Sequence, residues 1–229
     1  MDSTLAGRPS RRRAPFYEER LNARYGWPVA VEILLLAACL AAFGALAAAV
    51  SRDNVITDWD RDLNERLKDT HSRAVELFTH LGSFWGLLAL VAVATALLAR
   101  RRAWRDITFV LASFSGAAIL NALAKAAIAR PRPVFHDPSL VFRTHSFPSG
   151  HTMSTTAVCA ALAIVVARRS RHGRPAMTAA AVMITLIAAS RVYLGAHYVS
   201  DVVGGVLLGV AWVLVVLLAL TIRERRRIA

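Results

Sequence analysis

Cysteine is scarce in this chain, and its scarcity excludes two kinds of structure. Only two cysteines are present, Cys39 and Cys159, and both lie inside apolar segments. This excludes a secreted domain stabilised by several disulfides, and it excludes a metal site built from a cysteine cluster.

Acidic residues are also few, and this leaves a strongly basic chain. Asp and Glu number 15 against 28 Lys and Arg, which gives a net charge of +13. A soluble protein with this charge would suggest a nucleic-acid partner. However, 56% of the residues are hydrophobic and the mean hydropathy is +0.45, and the basic residues fall between apolar runs. This pattern indicates a membrane protein, and no nucleic acid is expected to bind.

Six apolar stretches predict six membrane-spanning helices. Crossing ~30 Å of hydrocarbon takes about 20 helical residues. Because backbone polar groups in lipid must be paired within their own segment, the predicted fold class is all-α, an integral membrane six-helix bundle. The first stretch follows a long polar tail with three arginines at 11–13, which is unlike a cleavable signal peptide. The stretches lie at about 27–50, 81–99, 107–124, 152–167, 176–194 and 199–222.

The distribution of basic residues predicts the orientation of the bundle. Eighteen of the 28 Lys and Arg residues fall in the two tails and in the connectors at 100–105 and 168–174, and ten fall in the alternate connectors. By the positive-inside rule, both termini are cytoplasmic. The predicted domains are a basic tail at 1–26, a membrane domain at 27–222 and a second basic tail at 223–229.

Two features outside the spans carry structural predictions. In the connector at 51–80, the apolar residues Val55, Trp59, Leu63 and Leu67 recur every four positions. This stripe predicts an interfacial helix between spans one and two, either flat on the outer membrane surface or packed on the bundle. In the last span, Gly205 and Gly209 form a GxxxG pattern, which favours close helix packing within the chain over dimerisation.

Polar residues cluster at three predicted helix ends on the non-cytoplasmic side. These clusters are Lys125 to Pro133, Pro148 to His151, and Ser190 to Asp201. Ionisable groups at membrane depth are costly and therefore indicate function. Three cations, Lys125, Arg132 and Arg191, outnumber the nearby acids, so a multivalent anion, best a phosphate, is expected to complete the site. Ser149, Gly150 and the free N–H groups of a starting helix would add donors.

Two histidines predict chemistry at this anion site. His197 and Asp201 are four residues apart, so on a helix the carboxylate accepts one ring N–H and leaves the other nitrogen free as a nucleophile. His151 is then available to protonate a leaving oxygen. The pKa of His197 stays open, because a helix N-terminus and Asp201 act on it in opposite directions.

The three clusters resemble the signature motifs of the type 2 phosphatidic acid phosphatase superfamily, which includes bacterial lipid phosphatases and vanadium haloperoxidases. The stretches read KxxxxxxRP, PSGH and SRxxxxxHxxxD. Many relatives carry proline two residues after the nucleophile, where this chain has Val199. The resemblance implies that His197 is the nucleophile, His151 the general acid and Asp201 the orienting partner. It implies that the phosphate is held by Lys125, Arg132, Ser149, Gly150 and Arg191.

Residues and resemblance together predict a metal-independent membrane lipid phosphatase that acts outside the cytoplasm through a phosphohistidine, without a cofactor. Polyprenyl diphosphate is the favoured substrate, ahead of phosphatidate and phosphatidylglycerophosphate. Arg143, His145 and His136 are candidate donors to the headgroup or to a second phosphate. The alternatives are a lipid transporter or flippase, a haloperoxidase-like vanadate site and a non-catalytic protein that binds anionic lipid. The sequence leaves the oligomeric state open.

Overall fold

The computed structural model describes residues 29–52, 54–67, 72–133 and 145–228. These residues form eight α-helices and one short 3-10 turn at His80–Gly82, and no strand occurs among them. The predicted tail at 1–26 and the loop residues His136 and Arg143 lie outside the described residues. The helices are α1 Val29–Val50, α2 Val55–Leu67, α3 Arg73–Thr79, α4 Phe84–Arg100, α5 Trp104–Ile128, α6 Gly150–Arg169, α7 Gly173–Tyr193 and α8 Val199–Ile228.

The all-α membrane fold is confirmed. Five helices are long and apolar enough to span a membrane, and the number is six, as predicted, if the bent pair of α3 and α4 counts as one span. Several helices extend beyond the predicted apolar runs, because helical hydrogen bonds do not depend on side-chain hydropathy. Arg168 and Arg169 thus remain in α6, and α8 continues past the predicted boundary at 222.

The second span differs from the plain helix predicted at 81–99. Helices α3 and α4 meet at an angle of 49° around the 3-10 turn. Ser83 caps α4 by accepting a hydrogen bond from the Gly86 N–H at 3.2 Å. A Cβ on Gly86 would lie 2.4 Å from the His80 carbonyl oxygen, so this turn requires glycine. The bend lets α3 pack against α7.

The connector contains two helices where one was predicted, and α2 packs through its polar face. Thr57 and Asp60 are buried, with 4% and 1% exposure. Val55 and Trp59, from the predicted apolar stripe, are 82% and 54% exposed and point away from the bundle. Contact between this stripe and the membrane surface stays a prediction.

Helix α6 lies at the centre of the bundle and packs against α4, α5, α7 and α8. Helix α1 packs mainly against α8, and most of its surface is exposed. Large apolar side chains on the outside, such as Leu34 and Val93, suit a bilayer as solvent. The interior contains Leu87, Val91, Phe109, Val110, Phe114, Met153, Ala157, Val158, Ala161, Leu208 and Val213.

The two glycines of the predicted GxxxG pattern lie in the contact between α6 and α8. A Cβ on Gly205 would lie 2.8 Å from the Ser149 carbonyl oxygen, and one on Gly209 would lie 2.9 Å from that of Met153. Real Cβ atoms do not approach backbone oxygens so closely, so both positions need glycine. This close approach brings the first turns of α6 and α8 together.

We expect Gly209→Ala to lower the melting temperature of the protein in detergent. An overpacked contact costs about 1–3 kcal/mol, which outweighs the gain in helix propensity of about 1 kcal/mol over most of that range. Gly44→Ala in α1 is the matched control, because nothing lies within 4 Å of a Cβ built there. Equal melting temperatures for the two variants would contradict the packing role of Gly209.

Candidate active site

A cavity of about 600 Å³ lies at the end of the bundle where α5 finishes and α6 and α8 begin. Six of the eight predicted site residues line it, and Ser149 and Asp201 lie behind its wall. No Asp or Glu occurs among the described residues of the lining. The lining residues are Gly82, Phe84, Ala118, Asn121, Ala122, Lys125, Ala126, Arg132, His145, Gly150, His151, Ser154, Arg191 and His197.

The structure brings together the three cations predicted to attract an anion. Lys125, in the last turn of α5, donates to the carbonyl oxygens of His145 and Ser146. Arg132 donates from Nη1 to the Ala196 carbonyl oxygen at 3.0 Å. Burial lowers the pKa of Arg132, but a guanidinium remains charged at neutral pH. With no acid on the described wall, the cavity has a positive potential.

Arg191 has a donor group left over for a ligand. It is 7% exposed, and its Nη1 donates to the Thr79 hydroxyl at 3.3 Å. Its Nε is buried and has no hydrogen-bond partner within the described parts of the chain. A buried donor without a partner is costly, so this N–H favours an anion in the cavity.

The predicted pair of His197 and Asp201 is present, but its local structure differs from the prediction. His197 Nδ1 lies 3.2 Å from Asp201 Oδ2. However, His197 precedes Val199, the first residue of α8, so the ring reaches the carboxylate from the loop. The Tyr198 N–H also donates to Asp201 Oδ2, at 3.0 Å, as in a capping box. This carboxylate therefore caps the start of α8, at the position where the sequence has Val199.

The free nitrogen of His197 points towards the cations. Its Nε2 lies 3.5 Å from Arg132 Nη1. Burial, together with the charges of Arg132 and Lys125, lowers the pKa of His197 to about 4 against the raising effect of Asp201. With Nδ1–H directed to Asp201, the neutral ring presents a lone pair on Nε2 at pH 7.

The PSGH stretch forms the N-terminus of α6. Ser149 is the N-cap, and its hydroxyl accepts from the Thr152 N–H at 3.5 Å and from the Thr152 hydroxyl at 3.1 Å. Because this hydroxyl is buried beneath the first turn of the helix, its role as a phosphate ligand stays a prediction. Gly150 and His151, the next two residues, both line the cavity.

Sequence reasoning missed a buried ion-pair network behind the cavity. Arg130 is 6% exposed and lies between two carboxylates, with Nη2 2.9 Å from Asp60 Oδ2 and Nη1 2.6 Å from Asp201 Oδ1. Arg130 lies within the first motif stretch, but the motif pattern does not specify its position. No local signal marks Asp60, because only the fold brings α2 to Arg130.

Within the described ranges, no group of three or more His, Cys, Asp or Glu side chains is placed to hold a metal ion. The Arg132 guanidinium lies 3.5 Å from His197 Nε2, and a cation at this position suits an anion and repels a metal ion.

The family model of the PAP2 superfamily matches residues 103–225, more than half of the chain. The chain belongs to the PAP2 superfamily. Phosphatidylglycerophosphatase B of Bacillus subtilis (strain 168) is 36% identical over 136 residues, which cover 57% of this chain and 66% of that protein, slightly under two thirds. Decaprenylphosphoryl-5-phosphoribose phosphatase of Mycolicibacterium smegmatis is 36% identical over 142 residues, 59% of this chain and 70% of that protein.

A solved PAP2 structure shares the fold over most of this chain. It is a transmembrane PAP2 type phosphatidylglycerolphosphate phosphatase from Bacillus subtilis, with a TM-score of 0.72 and 30% identity. The match covers 79% of this chain and 93% of that one. The predicted family, the PAP2 superfamily, and the predicted multi-pass membrane fold are confirmed.

The burial of His197 predicts that stability depends on pH. The ordinary pKa of histidine is 6.5, and in the folded chain that of His197 is about 4. Between these values the unfolded state binds more protons, so the free energy of unfolding falls as the pH drops from 6.5 towards 4. We expect the melting temperature of wild type to fall more steeply over this window than that of His197→Gln, whose side chain does not titrate. Parallel curves from thermal unfolding in detergent would contradict this assignment.

Proposed function

We propose that this PAP2 protein hydrolyses a lipid phosphate, with His197 as nucleophile and His151 as general acid. One observation carries the proposal: the described wall of the cavity combines three cations and two predicted catalytic histidines with no acid. Such a wall suits a phosphoryl group, whose negative charge the cations neutralise. Asp201, behind the wall, holds His197 in the tautomer that leaves Nε2 free.

The phosphate is held by the side chains that the motifs predict. Lys125, Arg132 and Arg191 contribute positive charge, and Arg191 also contributes its unpartnered Nε–H. Gly150, at the start of α6, lets the phosphate approach the backbone N–H groups and the positive end of the helix dipole. Ser149 supports this helix start and adds its hydroxyl to the proposed set.

The reaction proceeds in two steps through a phosphohistidine. Nε2 of His197 attacks phosphorus, and a P–N bond forms as the bond to the leaving oxygen breaks. His151 donates its proton to that oxygen. Water then attacks the phosphohistidine and gives a proton to His151, the P–N bond breaks, and inorganic phosphate leaves. The three cations stabilise the charge that develops on the phosphoryl oxygens, so no metal ion is required.

The shape of the cavity supports a substrate with a lipid tail. The cavity also has apolar lining residues: Ala118, Ala122 and Ala126, which repeat every four residues along α5, and Phe84 of α4. Phe84 is 52% exposed, so this apolar lining continues onto the outer surface of the bundle. A lipid can therefore place its headgroup among the cations while its tail stays in the membrane. By the charge distribution, we place the termini in the cytoplasm and the cavity on the extracytoplasmic side.

Among lipid phosphates, we favour a polyprenyl diphosphate. Its headgroup is almost entirely phosphate, whereas phosphatidate and phosphatidylglycerophosphate carry ester oxygens that need further donors. The described wall has few uncharged donors, and Asn121 already donates to the Pro148 carbonyl oxygen at 3.3 Å. The relatives are named for different lipids, and a phosphate on a lipid is what these names share.

The nucleophile assignment predicts the fate of the phosphoryl group. We expect wild type, quenched during turnover of a radiolabelled lipid phosphate, to carry an acid-labile, base-stable label. His197→Ala loses label and turnover, and Asp201→Asn keeps a small residual rate, because removing an orienting acid costs about 10⁴-fold. Phosphate release and retained label are measured on the same samples. Equal labelling of wild type and His197→Ala would refute the assignment.

The substrate proposal predicts an order of kcat/KM in detergent with excess chelator. We expect a polyprenyl diphosphate to exceed phosphatidate and phosphatidylglycerophosphate, and all three to exceed a short water-soluble phosphate ester. A soluble ester that matches the lipids would overturn the membrane-substrate proposal. A tenfold advantage of phosphatidate, about 1.4 kcal/mol in transition-state binding, would overturn only the prenyl choice. Loss of all activity in chelator would refute metal independence.

A further inference from the structure

The Arg130 network ends on the atoms that hold His197. The two oxygens of Asp201 are divided between partners: Oδ1 accepts from Arg130, and Oδ2 lies 3.2 Å from His197 Nδ1. Ser146 also donates to Oδ2 through its hydroxyl. Asp201 is fully buried, so its charge is shared among these groups and not with water.

Asp60 completes the network from the other side of Arg130. Its carboxylate accepts from the Arg130 guanidinium at 2.9 Å, from the Ser200 N–H at 3.2 Å and from the Ser200 hydroxyl. The Tyr198 ring covers Arg130, with the guanidinium carbon 4.3 Å from the ring centroid. Helix α2 is thus bonded to the first turn of α8, directly beside the catalytic pair.

Stability alone is a weak explanation for this arrangement. Removing charges from water is costly, and well-packed apolar side chains of similar volume often serve a fold equally well. The network here does more than fill space, because one guanidinium nitrogen orients the carboxylate that orients the histidine. Outer partners of this kind fix the direction and charge of the group in contact with substrate.

Building on the phosphatase function proposed above, we propose that Arg130 and Asp60 are positioning residues of the active site. They hold the Asp201 carboxylate, and through it the His197 ring, and they set how much negative charge the ring experiences. Neither residue is among those that line the cavity, and the hydrogen bonds that link them to His197 run through Asp201.

The charged groups around His197 allow the sign of each effect to be worked out. The cavity-side groups stay the same in all variants of the network, so a change in the titration of His197 between variants reports the network. Those groups are Lys125 from α5, Arg132 from the following loop, His145 before α6, His151 from α6 and Arg191 from α7, with Asp201 of α8 on the opposite side of the ring.

Two substitutions are expected to move the pKa of His197 in opposite directions. Arg130→Gln removes a cation that neutralises Asp201, so the ring experiences more negative charge and its pKa rises by about one unit. Asp60→Asn removes the anion that neutralises Arg130, so the pKa of His197 falls. A purely structural role predicts no such opposite pair.

The direct test is NMR titration of the protein labelled with ¹⁵N-histidine in detergent micelles, with His197→Gln used to assign the ring signals. This readout does not depend on knowing the substrate. Opposite shifts for Arg130→Gln and Asp60→Asn support the proposal. Unchanged titration of His197 in both folded variants overturns it, whether or not the protein proves to be a lipid phosphatase.

Kinetics provide the second test, with the best lipid substrate from the panel above. We expect kcat to fall by about 10- to 100-fold in each single variant, with a smaller change in KM. In the double variant, kcat is expected to fall by less than the product of the two single fold-decreases, because Arg130 and Asp60 act through the same carboxylate. Wild-type kcat in both variants would overturn the proposal. No turnover by wild type would instead refute the proposed function.

A matched control lies at the opposite end of the bundle. Asp106 is 7% exposed and pairs with Arg169 Nε at 2.5 Å. Asp106→Asn is expected to lower the melting temperature but to leave the His197 titration and kcat at wild-type values.

If Arg130→Gln does not fold, Arg130→Lys is the alternative variant, because it keeps the positive charge and loses the simultaneous contact of one guanidinium with both carboxylates. It is then expected to keep the pKa of His197 near that of wild type while kcat falls about tenfold. An unchanged kcat in folded Arg130→Lys would overturn the positioning role.

Discussion

An uncompensated charge beside hydrocarbon has a high free energy, and this cost determines where the protein can place charged side chains. The charged side chains of the site lie near helix ends, except for Asp60 in the middle of α2, and they fall into two groups. Arg130, Asp60 and Asp201 neutralise one another inside the protein. Lys125 and Arg191 face the cavity and donate to neutral oxygens. The first group needs no ligand, whereas the second group makes an anion favourable.

The parts of the fold that depend on local patterns could be predicted from the sequence. Hydropathy located the spans, because an apolar run long enough to cross a bilayer has few other uses. Motif spacing located the six residues that line the cavity, because each motif lies at one helix end and the ends meet in a bundle. The bend before Phe84 was not predicted, since the short helix α3 contains polar residues and its sequence resembles that of a connector.

Asp60 was missed, and the role of Ser149 stays a prediction, because each residue has two physically reasonable roles. Asp60 is one of several acids in its connector, and only the packing of α2 distinguishes it from exposed neighbours such as Asp58. Ser149 can cap a helix or contact a ligand, and a single sequence contains nothing that separates these roles. Asp60 also precedes residues 103–225, which the PAP2 family model matches, so the network joins a segment outside that match to the motifs inside it.

The combination of charged and apolar residues in the lining of the cavity has a consequence for product release. Hydrolysis of a lipid phosphate yields one product that prefers hydrocarbon and one that prefers water. The alanine lining along α5 offers the lipid product a path back into the membrane. The inorganic phosphate remains among the cations, and its departure to water exposes those charges again. Under the proposed function, a site that binds the substrate headgroup more tightly also binds inorganic phosphate more tightly, and the release of phosphate then becomes slower.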